Sequence, residues 1–117
     1  MKLVYASRTG HIEGVVNQLG HDDVLKLVDG SETVDGPFVL FTYTDKVGEV
    51  PAPVQKFLDA NSQNLRAVIG SGSRQYHSET FNFAAKKISA AYSVPLVRTL
   101  DMSGTAEDVE AIKNYLA

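Results

Sequence analysis

Short unbroken apolar runs alternate along this chain with stretches whose apolar residues recur every three or four positions. The first pattern marks buried strands and the second amphipathic helices. Residues 2–6 read as a strand. Ile12, Val15, Val16 and Leu19 form a stripe that predicts a helix over residues 10–19, stopped by Gly20. Residues 21–28 read as a short second strand, and residues 29–37, rich in Asp and Gly, as a loop. Phe38-Val39-Leu40-Phe41-Thr42-Tyr43 is apolar until its polar end, which suits a central strand buried on both faces. After a loop over residues 44–50, Pro51 or Pro53 opens a helix whose apolar face is Val54, Phe57 and Leu58. Residues 65–71 are a fourth strand, followed by a polar loop and a helical stripe of Phe81, Ala84, Ala85 and Ile88. Residues 94–100 are a fifth strand. The last helix starts within residues 103–108, with Thr105 as N-cap and Asp108 completing a capping-box pattern.

Five strands alternating with four helices imply an α/β fold, a parallel sheet covered on both faces. The chain of 117 residues is expected to be one domain spanning residues 1–117. Ligands of such sheets sit beyond the carboxyl ends of the strands. Three of these ends run into loops rich in hydroxyl, Gly and aromatic residues: Ser7–Gly10, Thr42–Gly48 and Ser71–Ser78.

Composition narrows the chemistry. There is no cysteine, so disulfides, thiolate metal sites and thiol redox chemistry are excluded, and redox work needs a bound cofactor. A net charge of −3 argues against nucleic acid as partner. No apolar run has membrane-spanning length and the chain opens on a strand, so the expected location is the cytoplasm, with no membrane partner. His11, His21 and His77 lack metal-ligand spacing, and no Gly-x-Ser-x-Gly elbow exists, so neither a metal nor a catalytic side chain is expected.

The first loop, Ser7-Arg8-Thr9-Gly10-His11, feeds a helix directly. Backbone N–H groups there have no intrahelical partner, and the helix dipole favours an anion. No P-loop and no Gly-x-Gly-x-x-Gly fingerprint is present, which favours a single phosphate over a di- or triphosphate. A plain turn capped by Ser or Thr would use the same residues. Tyr43 and Tyr76, each just past a strand end, suit the two faces of a planar ligand, although each alone also reads as ordinary packing or surface. Arg74 suits a ligand phosphate or a partner carboxylate, or plain solvation.

Ser7-Arg8-Thr9-Gly10-His11-Ile12 resembles the flavodoxin phosphate loop. Thr42-Tyr43-Thr44 with Gly48-Glu49-Val50-Pro51, then Gly70-Ser71-Gly72-Ser73-Arg74, then Leu100 with Ser103-Gly104-Thr105 and Asp108-Val109, resemble the NrdI family. That family comprises flavodoxin-like activators of class Ib ribonucleotide reductase. The likeness covers the whole chain in order, and the Ser-Gly-Thr block is not general to flavodoxins. The resemblance implies a flavodoxin-like three-layer sandwich with strand order 2-1-3-4-5 and noncovalently bound FMN. It implies that the reduced flavin reacts with O₂ and supplies superoxide for the dimanganese–tyrosyl radical cofactor of the partner radical-generating subunit, an electron-donating reductase having first reduced the flavin. Such a chain is a redox accessory protein rather than a turnover enzyme. By position, Ser7, Arg8, Thr9, Gly10, His11 and Ile12 would hold the phosphate. Thr42, Tyr43, Thr44, Asp45, Lys46 and Gly48 would line one side of the ring, and Ser71, Gly72, Ser73, Arg74 and Tyr76 the other.

Three departures from the family pattern carry expectations. His11 replaces the usual Asn, and its backbone N–H still donates. Protonated, its ring would add charge beside the phosphate. Lys46 stands where relatives often have Gly or Asn. A peptide flip at that point forces φ > 0 on a side-chain-bearing residue, so weaker stabilisation of the one-electron-reduced flavin is expected. Gln75-Tyr76-His77-Ser78 stands where Asn-Phe/Trp-Gly is usual. The runner-up reading is a general flavodoxin electron carrier, which typically has a more acidic face than −3 implies. A flavin-free response-regulator-like module would need a strand-end carboxylate, and strands one and three end in Ala6-Ser7 and Thr42-Tyr43.

Overall fold

A computed structural model of the chain describes residues 1–8, 10–44, 48–72 and 82–117. These residues form β1 (Lys2–Tyr5), α1 (His11–Leu19), β2 (Val24–Lys26), β3 (Phe38–Tyr43), α2 (Ala52–Asn61), a 3₁₀ turn (Ser62–Asn64), β4 (Leu65–Gly72), α3 (Phe83–Tyr92), β5 (Leu96–Asp101) and α4 (Ala106–Leu116). The strands form one five-stranded sheet in the order β2-β1-β3-β4-β5. All four pairings are parallel. This is the flavodoxin-like order expected from the resemblance.

Alternation along the central strands builds two cores, one on each face. Leu3 and Tyr5 of β1, with Val39 and Phe41 of β3, meet Ile12, Val15 and Val16 of α1 and Val109 and Ile112 of α4. Val4, Phe38 and Leu40 point the other way, onto Val54, Phe57 and Leu58 of α2 and Ala85 and Ile88 of α3. The continuous apolar run of β3 is thus explained, because both its faces lie under helices.

The element boundaries differ from expectation in instructive ways. The second strand spans three residues rather than eight. The Val28 N–H leaves the sheet and donates to Glu32 Oε2 at 2.9 Å, and Glu32 Oε1 also accepts from Gly30 N–H at 3.0 Å. The last strand starts at Leu96 rather than residue 94, because the Val94 N–H donates back to Ser89 O at 3.2 Å and closes the end of α3. Helix α1 begins at His11, with Gly10 as its N-cap, and Gly20 closes it in the left-handed region. Pro51 is the N-cap of α2. Phe81 lies outside the described residues; Ala84, Ala85 and Ile88 are buried as their stripe predicts.

Candidate functional site

The sheet order reverses between β1 and β3, whose carboxyl ends are neighbours. Beyond β1 the chain turns through Ser7 and Arg8 to Gly10, which takes φ 88° as N-cap of α1. A left-handed conformation there favours Gly. A Cβ added at Gly10 would meet nothing within 4 Å among the described residues, so packing does not demand the glycine. Among the described residues no side-chain hydrogen bond caps the helix, and a helix start leaves its first-turn N–H groups for another acceptor. Ser7 Oγ accepts from the Gly10 N–H at 3.2 Å. Ile12 is buried in the core and offers this space its backbone only. His11 Nδ1 lies 3.1 Å from Ser103 Oγ, tying the loop to the Ser-Gly-Thr block 92 residues away. Thr9 lies outside the described residues.

The second wall forms at the end of β3. Thr42 is buried and its hydroxyl donates to Tyr43 O at 2.8 Å, so its side chain faces inward. Tyr43 is half-buried against both cores. The Arg8 guanidinium stands 5.0 Å from its ring centroid, a cation–π contact that joins the loops after β1 and β3. Thr44 Oγ1 accepts from the Ala84 N–H at 3.1 Å and caps α3 from across the fold. Gly48 is buried against Phe83, whose ring leaves no room for a Cβ. Asp45 and Lys46 lie outside the described residues, and so does the expectation attached to the peptide at Lys46.

At the end of β4, Ser71 is buried and its hydroxyl donates to Met102 O at 2.5 Å, while the Met102 N–H donates to Gly72 O at 2.6 Å. These bonds fasten the β4 exit to the β5 exit. Ser73, Arg74 and Tyr76 lie outside the described residues. The sequence reading passed over Asn82, which sits fully buried beneath this wall. It takes φ 57° ahead of α3, its Nδ2 donates to Leu100 O at 3.4 Å, and its Oδ1 has no hydrogen-bond partner among the described residues. The available signal was an Asn at the start of the helical stripe, just after Phe81, since Asn tolerates left-handed backbone.

Beside the first loop, Tyr5 Oη donates to Glu13 Oε1 at 2.8 Å, and Lys26 Nζ pairs with the same oxygen at 2.9 Å. Burial and the adjacent carboxylate push the Tyr5 phenol up to about 12. The bonds from Lys26 and Tyr5 hold the Glu13 carboxyl below its ordinary value. Among the described residues no group of three or more His, Asp or Glu is placed to hold a metal ion, and no helix is long and apolar enough to cross a membrane.

Comparison with known families decides between the readings of this site. The NrdI flavodoxin-like family model matches residues 3–114. The chain belongs to the NrdI family. Protein NrdI of Bacillus licheniformis is 39% identical over 110 residues, which is 94% of this chain and 82% of that protein. Among solved structures, a short-chain flavodoxin associated with a PDU bacterial microcompartment superposes with a TM-score of 0.74 at 22% identity, over 97% of this chain and 91% of the other. Oxidised Flavodoxin 1 from Bacillus cereus gives a TM-score of 0.63 at 22% identity, with the same coverage. These two likenesses establish the fold.

As a member of the NrdI family, the chain is a flavin-binding redox protein linked to ribonucleotide reductase, and its cofactor is FMN. The residues present fit that group. A helix end without a side-chain cap among the described residues, the left-handed turn at Gly10 and a hydroxyl at Ser7 provide for a phosphate ester. The half-buried ring of Tyr43 at the neighbouring strand end provides an aromatic surface.

Proposed function

We propose that this protein supplies superoxide for assembly of the dimanganese–tyrosyl radical cofactor in the radical-generating subunit of a class Ib ribonucleotide reductase. FMN held by this chain would supply the one-electron reduction of O₂ to the oxidant, with a partner reductase as the source of electrons. The chain's own residues bind and orient the cofactor. Ser7, Arg8, Thr9, Gly10, His11 and Ile12 hold the phosphate, largely through backbone N–H groups. Thr42, Tyr43, Thr44, Asp45, Lys46 and Gly48 line one side of the ring, and Ser71, Gly72, Ser73, Arg74 and Tyr76 the other. Of these, Thr42 and Ser71 support the walls from within, because their hydroxyls are spent on backbone carbonyls. The metal belongs to the partner, and the reaction takes place in the cytoplasm.

The observation that carries this reading is the 39% identity to a protein NrdI over 94% of the chain. The test begins with the absorption spectrum of the purified protein and its reduction without air. The reduced protein is then mixed with O₂ and a manganese-loaded class Ib subunit. The expected outcome is superoxide, trapped by a dismutase-sensitive dye, and a tyrosyl radical signal in electron paramagnetic resonance. Rapid reoxidation that never generates the radical, with either superoxide or peroxide added back as a positive control, would overturn the proposal.

A further inference from the structure

A carboxylate at the third position of a helix leans back toward the N-terminus and closes a capping box on the N-cap N–H. Helix α4 does this. Asp108 Oδ2 accepts from the Thr105 N–H at 2.9 Å, and Thr105 Oγ1 accepts from the Asp108 N–H at 3.2 Å. That helix end is therefore satisfied by its own residues. Helix α1 carries a carboxylate at the same position, Glu13, and does not use it so. Glu13 Oε1 is instead held by Tyr5 Oη and Lys26 Nζ, at 2.8 and 2.9 Å. Tyr5 and Lys26 are cross-strand partners at the carboxyl ends of β1 and β2, so the sheet itself aims both donors at one point. The N-cap N–H of Gly10 goes to Ser7 Oγ.

We propose that Tyr5 and Lys26 are positioning residues that draw the Glu13 carboxylate aside and so reserve the N-terminus of α1 for the FMN phosphate. This rests on the reading of that helix end as the phosphate seat. A released Glu13 opposes the cofactor in two ways. It can reach back to compete with Ser7 for the Gly10 N–H and so crowd the mouth of the helix, and it sets a negative charge against a phosphate dianion at the positive end of the helix dipole. Lys26 also neutralises Glu13 where it stands. The device is specific to the phosphate, because the isoalloxazine ring carries no charge at that end.

The test measures dissociation constants of FMN and of riboflavin for the full-length apoprotein by flavin fluorescence. Lys26 and Glu13 are both partly solvent-exposed, with side-chain exposures of 50% and 40%, so their variants are expected to fold. Lys26→Met is expected to weaken FMN about three- to tenfold while leaving riboflavin unchanged. Lys26→Arg retains wild-type affinity. The double variant Lys26→Met with Glu13→Gln recovers it. Tyr5→Phe, which removes the second anchor, shifts FMN affinity in the same direction as Lys26→Met. Unchanged FMN affinity in Lys26→Met, an equal loss for both flavins, or no recovery in the double variant would each overturn the proposal. A wild-type protein that binds riboflavin as tightly as FMN would overturn the phosphate seat itself, a failure visible before any variant is made.

Discussion

Two glycines near the site are required for different reasons, and substitution separates them. Gly70 lies in β4 directly against Asn82. A Cβ there would fall 2.2 Å from Asn82 Oδ1 and 2.6 Å from Ala85 Cβ, both buried. Gly10 has open space around it but a left-handed backbone, with φ 88°. Gly70→Ala is therefore an overpacking change, expected to cost about 1–3 kcal/mol. Gly10→Ala carries only the dihedral cost, about 1–2 kcal/mol. Urea unfolding of the two apoproteins, with Gly70→Ala paired with Asn82→Ala, measures this. The Asn82→Ala change removes the clashing oxygen, so it is expected to recover part of the Gly70→Ala loss and none of the Gly10→Ala loss. Equal behaviour of the two glycines in the Asn82→Ala background would contradict the assignment. The glycine in the strand was visible in the sequence, but the residue it makes room for was not. Asn82 stands 12 positions further along the sequence and meets Gly70 only after β4 and α3 stack.

Helix α4 is the element whose terminus was most readable, because its capping box is a local four-residue pattern from Thr105 to Asp108. The structure adds what the pattern could not: Arg98 Nε of β5 reaches Asp108 Oδ1 at 2.8 Å. Burial raises the Asp108 carboxyl, but the bonds from Arg98 and Thr105 outweigh it and hold the group below its ordinary value. A carboxyl depressed in the folded state stabilises fully above its unfolded pKa, and that contribution disappears as pH falls through the folded one. Thr105→Ala is expected to cost about 1 kcal/mol at neutral pH. Asp108→Asn is expected to lower stability at neutral pH by an amount that shrinks in acid, below about pH 4. Unfolding free energies of wild type and Asp108→Asn at a series of pH values check this, and a difference that grows toward acid would refute it. Elements without such local signals were read less well. Strand β3 was legible because two covering layers demand an unbroken apolar run, whereas β2, an edge strand of three residues, is ended by Glu32 capturing the Val28 N–H. Nothing in the hydrophobic pattern records that capture.

The whole molecule is polar along its strand axis. The carboxyl ends of β1, β3, β4 and β5 carry the hydroxyl, Gly and aromatic loops, cross-linked by the Arg8–Tyr43, His11–Ser103 and Ser71–Met102 contacts. The sequence placed these loops at one end because parallel strands leave no choice, but it could not pair them, since each contact joins segments that meet only when the sheet is complete. At the opposite end an open cavity of about 450 Å³ lies among Lys2, Asp23, Val34 and Pro37, where β1, β2 and β3 begin. Its chemistry does not suit the cofactor: Lys2 is committed to Asp23 at 2.6 Å, and among the described residues no helix begins there. A cofactor that binds the folded state stabilises it by about 2.7 kcal/mol at a hundredfold excess over its dissociation constant, and the backbone it touches exchanges more slowly. Hydrogen exchange with and without FMN is therefore expected to show protection concentrated in residues 7–13, 42–48 and 71–78. Residues 23 and 33–37 should change only as much as the global stabilisation requires. Riboflavin should protect the second and third segments but leave residues 10–13 less protected than FMN does, because only the phosphate engages the start of α1. Protection focused on residues 33–37 would move the cofactor to the cavity and reverse the polarity argued from the sheet.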